Sequence, residues 1–165
     1  MQMKTAALTL RRAGLQDGPF LLTVRNEDSV RSLSKNQGLI SEETHKNWLE
    51  RHLGSSETAI WIIERESQKL GYVRAQKIDH PGKTGQWLLS VALTPVSRGK
   101  RYGTWAVAEA SRFLRETFHA ETIVAEVLSQ NAASLRLFTT SGFIMTAHVQ
   151  EHGQDLQRFE LSLSK

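Results

Sequence analysis

Side chains and glycines suited to chemistry gather in one run, Ser97-Arg98-Gly99-Lys100-Arg101-Tyr102-Gly103. It follows the apolar segment Leu88–Leu93 and a break at Thr94-Pro95, and it leads into an amphipathic stretch. A buried strand, a basic glycine loop and a helix start, in that order, form an anion site. Loop amides and the first free N–H groups of the helix point at one spot, where the helix dipole also favours negative charge. Arg98, Lys100 and Arg101 add positive charge, while Gly99 and Gly103, lacking Cβ, let a ligand or another backbone come close. An oxygen-rich anion such as a pyrophosphate is the expected guest. The same residues also read as a basic turn capping a helix. The run is neither a Walker loop nor a dinucleotide GxGxxG, since Gly-Lys lacks a following Ser or Thr at the required spacing.

Two histidines, His45 and His52, lie seven apart and share a helical face. Helical metal ligands sit three or four apart, and no carboxylate completes a set here. Packed or hydrogen-bonded histidines are expected, and no metal. The chain has no cysteine, which removes disulfides, thiolate nucleophiles and cysteine-bound zinc. Any thiol chemistry must arrive on a cofactor. The 165 residues suit a single domain spanning residues 1–165. No apolar run reaches membrane-spanning length, and Met1–Arg12 lacks a signal-peptide core, so a cytoplasmic protein without a membrane partner is the expectation. The net charge of +4 and pI of about 9.6 favour anionic ligands. Basic residues are interspersed with acids and form no stripe with aromatics, which speaks against a nucleic-acid partner.

The elements that must position the loop follow from periodicity. Leu8–Arg12 reads as a strand and Gly18-Pro19 as a helix start, with Phe20, Leu21 and Val24 on its apolar face. Asn26 is placed to cap a short helix, with Val30 and Leu33 inward, and Lys35–Gly38 is a loop. Ser41 caps a further helix that Gly54 ends. Ala59–Glu64, Leu70–Ile78 and Gln86–Leu93 form a meander with turns at Glu66–Lys69 and Asp79–Gly85. The helix after the loop turns Val107, Ala110 or Ser111, Leu114 and Phe118 inward. Glu121–Leu128, the helix Ala132–Ser141, and strands Phe143–Gln150 and Gln157–Leu163 complete the chain. Two strand–loop–helix units in series place their strands parallel through a right-handed crossover. The class is α+β, a mixed central sheet of about seven strands with helices on both faces.

Two motifs carry a resemblance. The loop is similar to the acetyl-CoA motif of the GNAT N-acetyltransferases, Arg/Gln-x-x-Gly-x-Gly/Ala, with Arg98 at the first position, Gly103 at the last and Arg101 in place of the middle glycine. Val127–Phe143 resembles the second signature of that family through Asn131, Ser134, Leu137, Gly142 and Phe143. Asn131 also reads as an ordinary N-cap and Gly142 as a C-cap, and both readings hold together. The resemblance implies acetyl-CoA as acetyl donor, with the pyrophosphate on Arg98, Gly99, Lys100, Arg101, Tyr102, Gly103 and Thr104. It implies two splayed parallel strands, pantetheine amides paired with the backbone of Val91 and Leu93, and Asn131 holding the arm from the other side. Arg101 costs little if its backbone is helical and is strained if φ is positive.

Direct acetyl transfer to an amine, without a covalent enzyme intermediate, is what the resemblance implies. Where many members place a tyrosine that protonates the thiolate, this chain has Phe138. Ser134 then stands either as the hydroxyl partner of the thiolate or as a small residue packed against pantetheine. Glu126, two residues before Leu128, is either the base for the amine or a solvent-facing strand residue; His45 is a second base candidate. Val24-Arg25-Asn26 and Ser41-x-Glu43-x-His45-x-x-Trp48 loosely resemble the branch that acetylates nucleotide-linked aminosugars, which would place Asn26 and His45 at the acceptor. Protein N-termini and aminoglycosides are alternative acceptors, the latter suited to the early acids Glu27, Asp28, Glu42 and Glu43. A CoA-binding module without turnover is the second class of function, favoured by Arg101 and Phe138. A homodimer paired through an exposed final strand is compatible with the pattern.

Overall fold

The computed structural model describes residues 6–164. Its elements, in chain order, begin with β1 (Leu8–Arg12), α1 (Gly18–Asn26), α2 (Asp28–Arg31), α3 (Glu42–Leu53), β2 (Thr58–Arg65), β3 (Gln68–His80) and β4 (Lys83–Leu93). They continue with α4 (Tyr102–Phe118), β5 (Thr122–Leu128), α5 (Ala132–Thr140), β6 (Ile144–Glu151) and β7 (Gln154–Ser162). One seven-stranded sheet runs β1-β2-β3-β4-β5-β7-β6, antiparallel except between β4 and β5.

Alternation along β2 divides the core into two layers. Trp61 and Ile63 face α4, whose Ala106, Val107, Ala110 and Leu114 are fully buried against them. Ile60 and Ile62 face the other way, against Leu21 of α1 and Leu49 of α3. Helices thus cover both faces of the sheet, and a period of two in β2 meets a period near 3.6 in each covering helix. Trp61 is 1% exposed, and truncating such a residue to alanine costs about 3–5 kcal/mol.

The parallel pair is the feature that positions a site. β4 and β5 pair only where Gln86–Leu88 meets Thr122–Val124. Beyond Leu88 the strands part, while β4 stays paired to β3 as far as Leu93. Thr94 N–H donates to Leu70 O on the β3 side at 2.9 Å. Alternation along an antiparallel ladder therefore turns the backbone groups of Val91 and Leu93 to the open side, toward β5.

Several boundaries differ from the sequence reading. Glu27, not Asn26, occupies the N-cap of α2; both ends of the Asn26 amide are taken by the Ile40 backbone, at 2.8 and 3.0 Å. α2 stops at Arg31 and buries none of its residues, so Val30 and Leu33 do not enter a core. The β3–β4 turn shrinks from Asp79–Gly85 to Pro81-Gly82, because a Pro-Gly pair with Gly82 at φ 76° turns the chain in two residues. The β2–β3 turn shrinks to Glu66 and Ser67, both at positive φ. β7 starts at Gln154, earlier than expected. It is also not exposed: it lies between β5 and β6, and β6 is the sheet edge. A dimer paired through the final strand is therefore ruled out by the strand order.

Candidate active site

A cavity of about 540 Å³ opens where β4 and β5 part. Leu89–Ala92 of β4, Glu126–Leu128 of β5, and Asn131, Ser134 and Phe138 of the following turn and helix line one part. Tyr72 and Arg74 of β3 lie on its floor beneath Arg25, His45 and Trp48 of α1 and α3. The segment 32–40 completes the roof. It is held by Asn26 through Ile40, by Arg25 Nη2 donating to Asn36 O at 2.6 Å, and by Arg31 Nη1 donating to Gln37 O at 3.0 Å. Its Lys35 reaches across the cavity to Glu126 Oε2 at 2.7 Å.

Near this cavity, the basic loop forms the start of α4. Gly99 has φ 73° and Arg101 has φ 64° as the N-cap residue. Arginine there occupies the left-handed region, at a cost of roughly 1–2 kcal/mol relative to a right-handed residue. The N–H groups of Tyr102, Gly103 and Thr104, in the first turn, have no intrahelical acceptor. Those of Gly99, Lys100 and Arg101 donate to no acceptor among the described residues. Successive free amides around left-handed residues make a concave cradle for an anion. Gly103 also serves helix packing. Its φ is not positive, and a Cβ there would lie 3.0 Å from Leu137 Cδ1, so this glycine lets α4 approach α5.

Arg98 braces the loop. Its Nη2 donates to Glu27 Oε2 at 3.2 Å and to Leu93 O at 3.1 Å. Leu93 thus has its carbonyl engaged, and Val91 retains both backbone groups toward the gap. Tyr102 packs on the core, and its hydroxyl accepts from Arg65 Nη1 at 3.0 Å.

Asn131 caps α5: its Oδ1 accepts from Ser134 N–H at 3.2 Å, leaving Nδ2 without a partner among the described residues. The Ser134 hydroxyl, on the cavity wall, likewise makes no side-chain hydrogen bond there. Phe138 is buried between Phe143 and Phe159 with one side on the cavity. Glu126 is not solvent-facing; it is largely buried, with Oε2 on Lys35 and Oε1 unengaged among the described residues.

His45 lies on the cavity wall beside Trp48, and burial lowers its pKa, so its imidazole is neutral near pH 7. His52 Nδ1 donates to Trp48 O at 2.7 Å, and its ring stacks on the same indole. The described residues contain no cluster of His, Cys, Asp or Glu able to hold a metal, and no helix among them is long and apolar enough to cross a membrane. Asn26 is spent on the segment 32–40 and does not line the cavity.

Residues 7–144 match the family model of the acetyltransferase (GNAT) domain. The chain belongs to the GNAT acetyltransferase family. A solved GNAT neighbour, the spermidine N-acetyltransferase of Vibrio cholerae with CoA and spermine, has a TM-score of 0.84 at 18% identity, covering 94% of this chain and 95% of that one. That identity speaks for the fold alone. The Salmonella typhimurium protein yncA, solved with its cofactor acetyl-CoA, has a TM-score of 0.80 at 25% identity over 96% of this chain and 95% of its own. A ribosomal-protein-alanine N-acetyltransferase from Brucella melitensis has a TM-score of 0.81 at 27% identity over 94% and 99%. No curated protein matches the chain. These neighbours do not support the aminosugar branch of the GNAT family.

Sequence reasoning missed Arg25, Tyr72, Arg74 and Lys35 as cavity residues. Tyr72 and Arg74 carried a signal: they alternate with buried Val73 and Ala75 on a central strand, where a charged residue is out of place unless it lines a site.

Proposed function

We propose that this GNAT chain is an acetyl-CoA-dependent N-acetyltransferase acting on the primary amine of a small molecule. The observation that carries the reading is the parting of β4 from β5 beyond Leu88, which leaves an unpaired strand edge facing the cavity. The donor set fits the cofactor. Val91 C=O and Leu93 N–H would take the pantetheine amides, as an added strand would. Asn131 Nδ2 would hold the arm from the opposite wall. The amides of Gly99–Thr104, with Lys100 and Arg101, would take the pyrophosphate, and Arg98 holds that loop in shape through Glu27 and Leu93.

Bound acetyl-CoA supplies an acetyl group activated as a thioester. The chain's own residues then have three tasks. Glu126 Oε1, the free carboxylate oxygen, takes the proton of the acceptor ammonium. Val91 N–H, the other free donor near Leu93, would polarise the thioester carbonyl. Ser134 Oγ would offer its hydroxyl proton to the sulfur, the task that Phe138 cannot perform. Asn26 acts on the acceptor only by holding the roof, and His45 lines the acceptor pocket as a neutral imidazole. The roof segment and Trp48 exclude water from the amine.

Calorimetric titration with acetyl-CoA, followed by amine-dependent release of free CoA, tests this. Binding of acetyl-CoA that weakens in Asn131→Ala, with turnover on some primary amine, is the expected result. Failure to bind acetyl-CoA sinks the proposal.

A further inference from the structure

The acceptor half of the cavity holds positive charge without a counter-charge. Four basic side chains, Arg25, Lys35, Arg51 and Arg74, line the cavity against one acid, Glu126. That acid is already engaged by Lys35 at 2.7 Å. Arg25 and Arg74 form no salt bridge among the described residues. Arg25 spends Nη2 on Asn36 O, while its Nη1 is buried with no hydrogen-bond partner. Arg74 lies 5.5 Å from the Trp48 ring centroid, a contact that holds the guanidinium in place without neutralising it. Desolvation lowers the Arg74 pKa; Tyr72 opposes this, and the positive charge of Arg25 adds to it. Tyr72 lines the same cavity, and burial raises its pKa, so its phenol stays neutral and offers an O–H.

Buried charge without a partner is costly and persists where a ligand supplies the partner. Two guanidinium groups and a phenol are a donor set for an oxyanion, and the planar fork of arginine suits carboxylate or phosphate in particular. The early acids that would have welcomed a polycation are elsewhere. Glu27 pairs with Arg98 and Asp28 with Arg31, and neither these nor Glu42 and Glu43 line the cavity.

We propose that Arg25, Arg74 and the Tyr72 hydroxyl bind an anionic group, a carboxylate or a phosphate, carried by the acceptor amine. This rests on the acetyl-transfer reading, for it places the anion in the acceptor half. It sets the acceptor class apart from polyamines, which the same charges repel.

The test uses the protein saturated with CoA, so that the loop 98–104 is occupied. Inorganic phosphate and acetate are titrated separately by calorimetry, which distinguishes the two anions. One of them is expected to bind, with affinity at least tenfold weaker in Arg25→Gln and in Arg74→Gln, and largely kept in Arg74→Lys. In parallel, kcat/KM is compared for aminoethyl phosphate, β-alanine, ethanolamine and 1,4-diaminobutane. An anionic amine is expected to exceed ethanolamine at least tenfold, with that ratio collapsing in Arg25→Gln. Absence of anion binding, binding indifferent to both glutamine variants, or preference for the diamine overturns the proposal. Failure to bind CoA counts against the acetyl-transfer reading instead, and the anion titration repeated without CoA still decides the arginine site.

Discussion

Lys35 Nζ lies 2.7 Å from Glu126 Oε2, joining the roof segment between α2 and α3 to the strand that borders the gap. The same ammonium lies 3.5 Å from Glu151 Oε2 on β6, and Gln154 Nε2 donates to Lys35 O at 3.1 Å. A partly exposed pair of this kind contributes about 0–1 kcal/mol to stability. Its larger effect is to hold Glu126 in one orientation, with Oε1 left unengaged among the described residues.

Glu126→Gln keeps the shape and hydrogen-bonding capacity of the side chain but cannot take a proton. The expected result is kcat lower by about 10²-fold with acetyl-CoA affinity unchanged. Lys35→Ala is expected to change stability by less than about 1 kcal/mol while raising the acceptor KM, because the roof loses its tie to β5. Steady-state kinetics with a parallel urea melt separate the two. A Glu126→Gln enzyme of full activity would move the proton-accepting role to His45.

Arg101 sits at φ 64°, at the middle-glycine position of the motif this loop resembles. Relief of the left-handed strain should make Arg101→Gly more stable by about 1 kcal/mol, a rise in Tm of about 2–4 °C for a chain of this size. Acetyl-CoA affinity should fall by less than about tenfold, since one exposed charge is worth about 1 kcal/mol or less. A lower Tm in a thermal melt would show that the arginine side chain makes a stabilising contact that outweighs its backbone strain.

Much of the frame was readable in the chain. Leu88–Leu93, the glycine loop and the Val107–Leu114 face required only local periodicity and capping chemistry, and Asn131 announced its cap through spacing alone. What stayed hidden depended on contacts far apart in sequence. Asn26 looked like a cap because Glu27 and Asp28 follow it, yet Ile40 competes for its amide and wins with two hydrogen bonds. Gly103 gives no local hint of which helix it meets: its missing Cβ accommodates Leu137 from a helix some thirty residues on. The exposed final strand failed for a related reason. Alternation in Phe159, Leu161 and Leu163 marks a half-buried strand but cannot say which strand flanks it, and β7 inserts between β5 and β6. Arg25 and Lys35 gave no local sign at all, since their partners lie on a loop and on another strand.

Asp17 anchors the approach to α1 and should set the acid limit of stability. It is fully buried, accepts from Arg11 Nη1 and Nη2 at 2.9 Å each and from Gly14 N–H at 2.8 Å, and pairs with Lys69 at 2.9 Å. Hydrogen bonds from Arg11, first among these causes, hold its pKa well below the usual carboxylate range despite burial. A folded-state pKa below the unfolded value near 3.9 stabilises the fold at pH values above about 4 and loses that contribution as pH falls through the folded value. Urea midpoints should therefore decline steeply below about pH 4. Asp17→Asn should flatten that decline while costing about 3–5 kcal/mol at pH 7, because it leaves a buried network without its charge. A decline unchanged in Asp17→Asn would assign the acid limit to other carboxylates.

Asn131 and Ser134 share one hydrogen bond yet should fail in different ways. The Asn131 side chain caps α5 through Oδ1 and offers Nδ2 to the cavity, so Asn131→Ala removes a cap worth about 1 kcal/mol and weakens acetyl-CoA binding together. Ser134 donates its backbone N–H to that cap, and its hydroxyl is the part left free for sulfur. Ser134→Ala preserves the N–H, so stability and acetyl-CoA affinity should stay near the parent values while kcat falls by about 10²-fold, the lower range of proton-donor effects. Calorimetry and single-turnover kinetics on the two variants test the split. If Ser134→Ala binds acetyl-CoA weakly but turns over at the parent rate once saturated, the hydroxyl contacts the pantetheine arm rather than the sulfur. The departing thiolate must then be stabilised without it, since Phe138 cannot supply a proton.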